Sequence, residues 1–443
     1  MKEKWSGKYG FILASIGSAV GIGNVWRFPY IMSKNGGGSF LMVYLFCIFT
    51  FGIPLMLLEI ASGRALSGSI IKVFEKIFRR NKWISFIPII TVFFILCYYI
   101  VITGWVLFYF LNSISGNYTD FITFSSGSSS IIFTLITALI VIITVSWGVK
   151  DGIERVSKIG IPILFFLVLI MVIKTLTFPN ALGEIRNYLK PEIKEIFHWN
   201  TWFMAIAQIM FSLSLGTGIM LTYGSYLDKK ENIFTSSVII TLSDTLVCLG
   251  SAIIIFSFLH LFNLPQKEGM ELSFVVLPKL FQSIKYGNFY GVSFFLLLFI
   301  AALTSAVSMM ETVVRNIIDK SGLSRVTSVL LITPIFLIIS SIVSLSYTDF
   351  LNINLIEILD NIFGNFMTPV SALLLCIGVS WHWKLEDLVK EMGIEEGLIL
   401  DRIGESGVLM EKFITYRIVL NLVKYFLPVI LTIILIMKFS GIA

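Results

Sequence analysis

Five ionisable side chains, Arg27, Glu59, Asp244, Glu311 and Asp360, lie within or at the edges of long apolar runs. A charge at the centre of a bilayer costs at least about 2.5–3.5 kcal/mol, so such residues mark working sites by default. Asp244 is the plainest case, in Ile-Ile-Thr-Leu-Ser-Asp-Thr-Leu-Val-Cys-Leu. No cation stands beside it in the sequence, and the natural partner of its carboxylate is a bound cation. The stretch Ala301-Ala-Leu-Thr304-Ser305 supplies a second set of oxygens. Positions i, i+3 and i+4 share one helix face, so a main-chain carbonyl and two hydroxyls converge there. Oxygen ligands without a dense carboxylate cage suit a hard monovalent ion such as Na⁺ better than Ca²⁺. Ser and Thr hydroxyls also bond back to their own helix, and for Thr304 and Ser305 that reading stands beside the first.

Other chemistry has less support. Cys47, Cys97, Cys248 and Cys376 each sit inside an apolar stretch, where a free cysteine is a small buried hydrophobe. Their spacing fits neither a disulfide framework nor a metal motif. His198, His260 and His382 are far apart, which disfavours zinc. No nucleophile–base pair is visible, so a membrane-embedded enzyme has no centre here.

The elements that must position these groups are membrane spans. Of the 443 residues, 56% are hydrophobic and only 14% charged, against about a quarter charged in soluble domains; the mean hydropathy is +0.90. The net charge of +6 does not make a nucleic-acid binder, because Lys and Arg fall in short loops between apolar runs. The composition is that of an all-α integral membrane protein embedded in the lipid bilayer. Runs long enough to span it lie at about 10–33, 39–63, 84–111, 130–148, 158–178, 201–223, 234–262, 290–316, 326–346, 351–381 and 413–437. Alternate loops hold Lys72, Lys76, Arg79, Arg80 and Lys82, then Lys150, Arg155 and Lys158, then Lys229 and Lys230, then Lys320 and Arg325, then Lys384, Lys390 and Arg402. The positive-inside rule therefore puts the N-terminus in the cytoplasm and the protein in the plasma (inner) membrane. No cleavable signal peptide is visible: the segment after Lys2, Lys4 and Lys8 runs on into Arg27 without a small-residue cleavage pattern. The segments 181–198 and 266–286, the latter with Glu268, Glu271 and Lys279 around Phe274–Leu277, read first as solvated surface loops and second as short amphipathic helices.

Two runs break the rule that a membrane helix satisfies its own backbone. The first reads Gly17-Ser-Ala-Val-Gly21-Ile-Gly23-Asn24-Val-Trp-Arg27-Phe-Pro29, and the sixth reads Ser212-Leu-Ser214-Leu-Gly216-Thr-Gly218. They occupy corresponding positions if the first ten spans are two repeats of five. Such a pair points to a transport site at the interface of an inverted repeat. Close packing through Gly17-x-x-x-Gly21 is the plainer alternative, but it leaves Asn24 and Arg27 unexplained. Gly21-x-Gly23 is no dinucleotide fingerprint, lacking a third glycine and a strand.

The run Gly17–Pro29, then Asn35-Gly-Gly-Gly38, Gly52-Ile-Pro54-Leu-Met-Leu-Leu-Glu59-Ile-Ala-Ser-Gly63-Arg64, Gln208-Ile-Met-Phe211-Ser-Leu-Ser-Leu-Gly216 and Leu303-Thr-Ser305 together resemble the neurotransmitter:sodium symporter family, in its prokaryotic amino-acid transporter branch. The resemblance covers nearly the whole chain. It implies a LeuT-type fold of 5+5 inverted repeats with discontinuous helices 1 and 6 and about eleven spans: repeat one over about 10–178, repeat two over about 201–381, and an additional helix at about 413–437, all one transporter domain over 1–443. Bacterial members of this family are the standard example of broken helices at such an interface.

The resemblance further implies two sodium ions as coupling ions and no organic cofactor. The first would be held by Ala19, Asn24, Ser212, Asp244 and the substrate carboxylate. The second would be held by carbonyls of Gly17, Val20 and Ala301 and by the hydroxyls of Thr304 and Ser305. The carboxylate of an amino-acid substrate would meet the N–H groups of Ile22 and Gly23 and the hydroxyl of Tyr99. Its ammonium would meet carbonyls of Ala19, Phe211 and Ser212. Ser18, Ile95, Tyr99, Phe211, Ser214, Thr217, Ser305 and Met309 would line the side-chain pocket. Arg27 and Asp360 match an outer gate under which Tyr99 and Phe211 form a lid; Trp5, Tyr226 and Asp319 match an inner gate, its basic member being Lys2 or Lys4.

Three departures shape the expectation. The chain has about eleven spans, where twelve are commoner. Asp244 stands where many members have Asn. Gly21 stands where monoamine carriers have Asp, which disfavours an amine lacking a carboxylate. With a fixed carboxylate beside the first sodium, transport is expected to be chloride-independent. An empty return step would strand that charge in a low-dielectric site, so a proton is expected to ride back on it. Thr217 and Ser18 leave room for a larger apolar or aromatic side chain. A channel lined by glycine-broken helices is the reading from another class; a gate pair above an occluded pocket argues against it.

Overall fold

Two of the apolar runs are broken near their middles, and the remainder of the fold is arranged around those breaks. The computed structural model describes residues 3–178, 180–261, 269–348, 351, 353–383, 388, 391 and 418–440. In chain order the spans are α1 (Lys8–Ala19, Ile22–Val25 and Arg27–Lys34), α2 (Gly38–Leu66), α3 (Lys82–Ser115), α4 (Ser128–Ser146), α5 (Val149–Leu176), α6 (Trp199–Ser212 and Ile219–Gly224), α7 (Ile233–Leu259), α8 (Gly287–Ser321), α9 (Arg325–Leu345), α10 (Leu355–His382) and α11 (Ile418–Phe439). Among the described residues nine helices are continuous and apolar enough to cross a membrane; the broken pair completes the eleven expected runs.

The break in α1 is an extended step at Val20 and Gly21. The break in α6 is longer, with Ser214, Gly216 and Gly218 all at positive φ. Gly216 is required twice over. Its φ of 82° is left-handed, and a Cβ there would press into the main-chain carbonyl of Thr368 on α10. Breaks at this depth survive only where protein, not lipid, surrounds them. Here α3 and α8 supply that wall: 67% and 72% of their most apolar stretches are buried, against 28% for α9 and 22% for α11. α8 packs along α3, α2 crosses the second half of α6, and α11 lies against α10. α10 carries a π-helical turn over Asp360–Met367 just before Pro369, a ring without the N–H that regular winding would use.

On the face opposite the N-terminus, Ala181–Tyr188 and Ile193–Ile196 form short helices with mostly exposed side chains, in keeping with a solvated segment. The second segment departs from that expectation. Leu272–Val276 and Leu277–Ser283 are helical, and Leu272, Phe274, Leu277 and Phe281 are buried. The reason is aromatic packing: the Phe274 ring lies 6.0 Å from Trp26 and 5.1 Å from Tyr109, so this segment caps the bundle. Glu268, Lys384, Lys390 and Arg402 lie outside the described residues.

Candidate functional site

The first oxygen cluster joins three helices. Asn24 follows the α1 break, where its Oδ1 accepts the Gly21 N–H at 2.9 Å. Its amide donates to Ser212 Oγ at 2.9 Å and to Asp244 Oδ1 at 2.5 Å, and Ser212 Oγ donates to Asp244 Oδ2 at 2.6 Å. All three are buried, and no Lys or Arg pairs with Asp244 among the described residues. A carboxylate without a compensating cation is costly at this depth, so the donor set fits a monovalent cation carried as cargo. Cys248, one turn beyond Asp244, belongs to this cluster rather than to the apolar packing expected of it: its sulfur accepts from the Asn24 amide at 3.2 Å. The i, i+4 spacing from Asp244 was the available signal.

The second cluster lies at the end of the first α1 segment. Ser305 Oγ is 3.3 Å from the Gly17 carbonyl, 3.2 Å from that of Ser18 and 3.3 Å from that of Val20. One proton cannot serve three acceptors, so this is an oxygen-dense centre of the kind that receives a cation. Thr304 divides its loyalty: its hydroxyl bonds back to Ile300 O at 2.9 Å and reaches Ala301 O at 3.2 Å. Of the two hydroxyls, only Ser305 crosses to α1 in these contacts.

A cavity lies beside the breaks. Of the expected residues, Ser18, Ala19, Ile95, Tyr99, Phe211, Ser214, Thr217, Ser305 and Met309 line it. Ile22 N–H donates to Tyr99 Oη at 3.1 Å, so the start of the Ile22–Val25 helix presents its amide beside the tyrosine. Gly23 lies beneath the Phe211 ring, which a Cβ would strike. Glu59, buried on α2, accepts the Gly216 N–H at 2.6 Å and thereby holds the α6 break. The unexpected wall comes from α10 and α11, through Gly364, Asn365, Thr368, Pro369, Ile434 and Lys438.

Tyr99, Phe211 and Arg27 line both this cavity and a vestibule on the face opposite the N-terminus, and so form the partition between them. The Arg27 guanidinium lies 4.8 Å over the Phe211 ring. Asp360 lines the same vestibule as Arg27, accepting from Tyr98 Oη at 2.6 Å and from the Asn365 amide at 3.1 Å.

The other face is closed differently from expectation. Trp5 donates its indole N–H to Tyr223 O at 3.0 Å and packs edge-on against Tyr226. Tyr226 donates to Glu311, which accepts Arg325 Nη1 at 2.5 Å, and Arg325 also pairs with Glu3. Asp319 is turned away to the short helix Ile70–Ile77, accepting Ser69 N–H and Lys72 Nζ, each at 2.8 Å. Lys4 pairs with Asp228 at 3.4 Å instead of Asp319, and Lys2 lies outside the described residues. The physical reason is charge pairing: Glu311 is fully enclosed and takes Arg325, whereas Asp319, also largely buried, already has Lys72 and, at 3.5 Å, Arg315.

The model of the sodium:neurotransmitter symporter family matches residues 2–121 and 122–434. This chain belongs to the sodium:neurotransmitter symporter family. It is 36% identical over 406 residues to a sodium-dependent transporter of Methanocaldococcus jannaschii, across 86% of this chain and 82% of that protein. It is 26% identical over 451 residues to the sodium-dependent dopamine transporter of Bos taurus, across 88% and 65%. A crystal structure of MhsT in complex with L-phenylalanine superposes with a TM-score of 0.85 at 30% identity, over 98% of this chain and 99% of that one. The symporter is thus a multi-pass, sodium-dependent membrane transporter of LeuT-type fold, not an enzyme.

Three groups in the symporter's site escaped the sequence reading: Cys248, Arg325 in its contact with Glu311, and the α10–α11 wall.

Proposed function

We propose that this symporter carries an amino acid with two sodium ions by alternating access. Asn24, Ser212, Asp244 and the Ala19 carbonyl hold the first ion together with the substrate carboxylate. Carbonyls of Gly17, Val20 and Ala301 and the hydroxyls of Thr304 and Ser305 hold the second. The observation that carries the reading is the convergence of Asn24, Ser212 and Asp244 at 2.5–2.9 Å beside a cavity whose rim offers the Ile22 amide and the Tyr99 hydroxyl. Helix N-terminal amides suit a carboxylate. The L-phenylalanine bound to MhsT supports an amino acid as the passenger.

Arg27 and Asp360 act as the outer gate over the lid formed by Tyr99 and Phe211. Trp5 and Tyr226 belong to the inner one, where Glu311 and Arg325 carry the ion pair and Asp319, tied to Ser69 and Lys72, braces the neighbouring helix. The protein sits in the plasma membrane with its N-terminus cytoplasmic, as one transporter domain: two repeats over about 10–178 and 201–381 and a further helix over about 413–437. No organic cofactor takes part. Asp244 supplies the negative charge beside the first sodium, so chloride is not needed. When the empty carrier returns, a proton replaces the cation on that carboxylate, because a bare buried charge is costly.

Uptake of radiolabelled L-amino acids into proteoliposomes under an inward sodium gradient tests this reading. Accumulation that vanishes when choline replaces sodium supports it. Accumulation at the same level without sodium contradicts it.

A further inference from the structure

The substrate cavity does not end at Thr217. Its wall also includes Ala207 and Met210 of α6 and Pro369, Ile434 and Lys438 of α10 and α11. This stretch is mostly apolar, and the hydroxyls near it are already engaged. Thr217 donates to Ser214 O at 2.7 Å, Ser214 to Ser18 O at 2.8 Å, and Thr368 to Phe363 O at 2.9 Å. Ser18 and Ser308 share a hydrogen bond at 2.8 Å.

Lys438 is different. Its ammonium carries three N–H donors and no acceptor. One donor goes to the main-chain carbonyl of Asn365, and the group lies 5.8 Å from the centre of the Phe203 ring. No carboxylate is within ion-pair distance of it among the described residues. The gate carboxylate Asp360, which accepts from Tyr98 and Asn365, acts on the ammonium from beyond contact distance, as does the Arg27 charge. A half-buried ammonium in a mostly apolar stretch of the cavity wall, with donors to spare, gives that wall one strong hydrogen-bond donor.

We infer that Lys438 is a specificity-determining residue which reads the far end of the substrate side chain, favouring a large side chain that ends in a hydrogen-bond acceptor and rejecting one that ends in a cation. This rests on the amino-acid reading above. A tip such as a phenolic oxygen accepts from the ammonium, while the apolar stem lies along that wall. A cationic tip would lie against the Lys438 ammonium, the charge of Arg27 being answered by Asp360 in the gate, and like charges brought together in a pocket act as rejection.

The test is competition binding to the purified, full-length symporter in sodium, using L-tyrosine against L-phenylalanine and L-lysine against L-norleucine. In the parent protein tyrosine should bind about 10- to 100-fold more tightly than phenylalanine, the weight of one charge-assisted hydrogen bond, and lysine should not compete. Lys438→Met keeps most of the length of the side chain and removes its charge and its donors. It should bring tyrosine and phenylalanine to within about threefold of each other and let lysine compete, whereas Lys438→Arg should still exclude lysine. The ratio of affinities is the readout, so a general loss of stability does not imitate the effect. Unchanged ratios in Lys438→Met with sodium-dependent binding intact would overturn the role of Lys438 alone. Absence of sodium-dependent binding of any amino acid to the parent protein would overturn the amino-acid reading and this inference with it.

Discussion

Ser214 donates its hydroxyl to the main-chain carbonyl of Ser18 at 2.8 Å, joining the break in α6 to the break in α1. Ser214 itself sits at φ 54°, a conformation that costs a non-glycine residue free energy and persists where its surroundings hold it. This bond joins the two broken helices in addition to that between Asn24 and Ser212, and the carbonyl it engages lies beside the Ser305 centre.

Replacing Ser214 by alanine removes the donor, leaves the Ser18 carbonyl buried without it and keeps the strained φ. Ser305 Oγ still faces that carbonyl at 3.2 Å, so the loss is that of one hydrogen bond, about 0.5–1.5 kcal/mol. Sodium-dependent substrate affinity should fall about 2- to 12-fold, and Ser214→Gly, which relieves the backbone, should fall less. Equilibrium binding on the three proteins checks the order.

Ser305 and Thr304 should respond unequally. Ser305 reaches three carbonyls of α1, whereas both hydrogen bonds of Thr304 go back to α8 carbonyls. Ser305→Ala should raise the sodium concentration for half-maximal uptake about tenfold, the effect of about 1.4 kcal/mol, while Thr304→Ser should leave it nearly unchanged. Sodium titrations of uptake measure both.

Arg325→Ala leaves Glu311 enclosed without its cation. Breaking a buried pair from one side costs about 3–5 kcal/mol, so the melting temperature and transport rate should drop together, and a cysteine introduced at Ser225 should become more reactive from the N-terminal face. The double variant Glu311→Gln with Arg325→Gln should recover more than half of the lost stability. Thermal melts and alkylation rates check this.

The breaks in α1 and α6 were legible because glycine and hydroxyl residues are conspicuous inside apolar runs, and Asp244 because it has no cation near it in the chain; that Asn24 and Ser212 meet it followed from the family resemblance. Partners across the fold were less legible. Arg325 read as one more basic loop residue, and nothing local to it or to Glu311 states that Tyr226 and Glu3 converge on the same point. Lys438 looks like an ordinary basic residue at the edge of a span; only the packing of α11 on α10 brings it to the cavity. The segment 272–281 misled because Glu271 and Lys279 flank the residues it buries. Cys248 was judged by its apolar neighbours in sequence, although its helical neighbour four residues earlier is Asp244.

Chloride should be dispensable. Replacing chloride by gluconate should leave sodium-driven uptake unchanged, because Asp244 already supplies the negative charge in the cluster with Asn24 and Ser212. Asp244→Asn should lose uptake in gluconate and regain part of it in chloride. Full uptake by Asp244→Asn without chloride would show that the carboxylate does not have this role.

The central claim is that sodium and substrate are bound as neighbours, the carboxylate of one completing the shell of the other. The most direct measurement is equilibrium binding of L-phenylalanine to the purified symporter in sodium chloride and in choline chloride at equal ionic strength. Affinity should be at least about tenfold higher in sodium, within the usual range of coupling between two ligands, and Asp244→Ala should abolish the difference. Equal affinity in the two buffers would contradict the account.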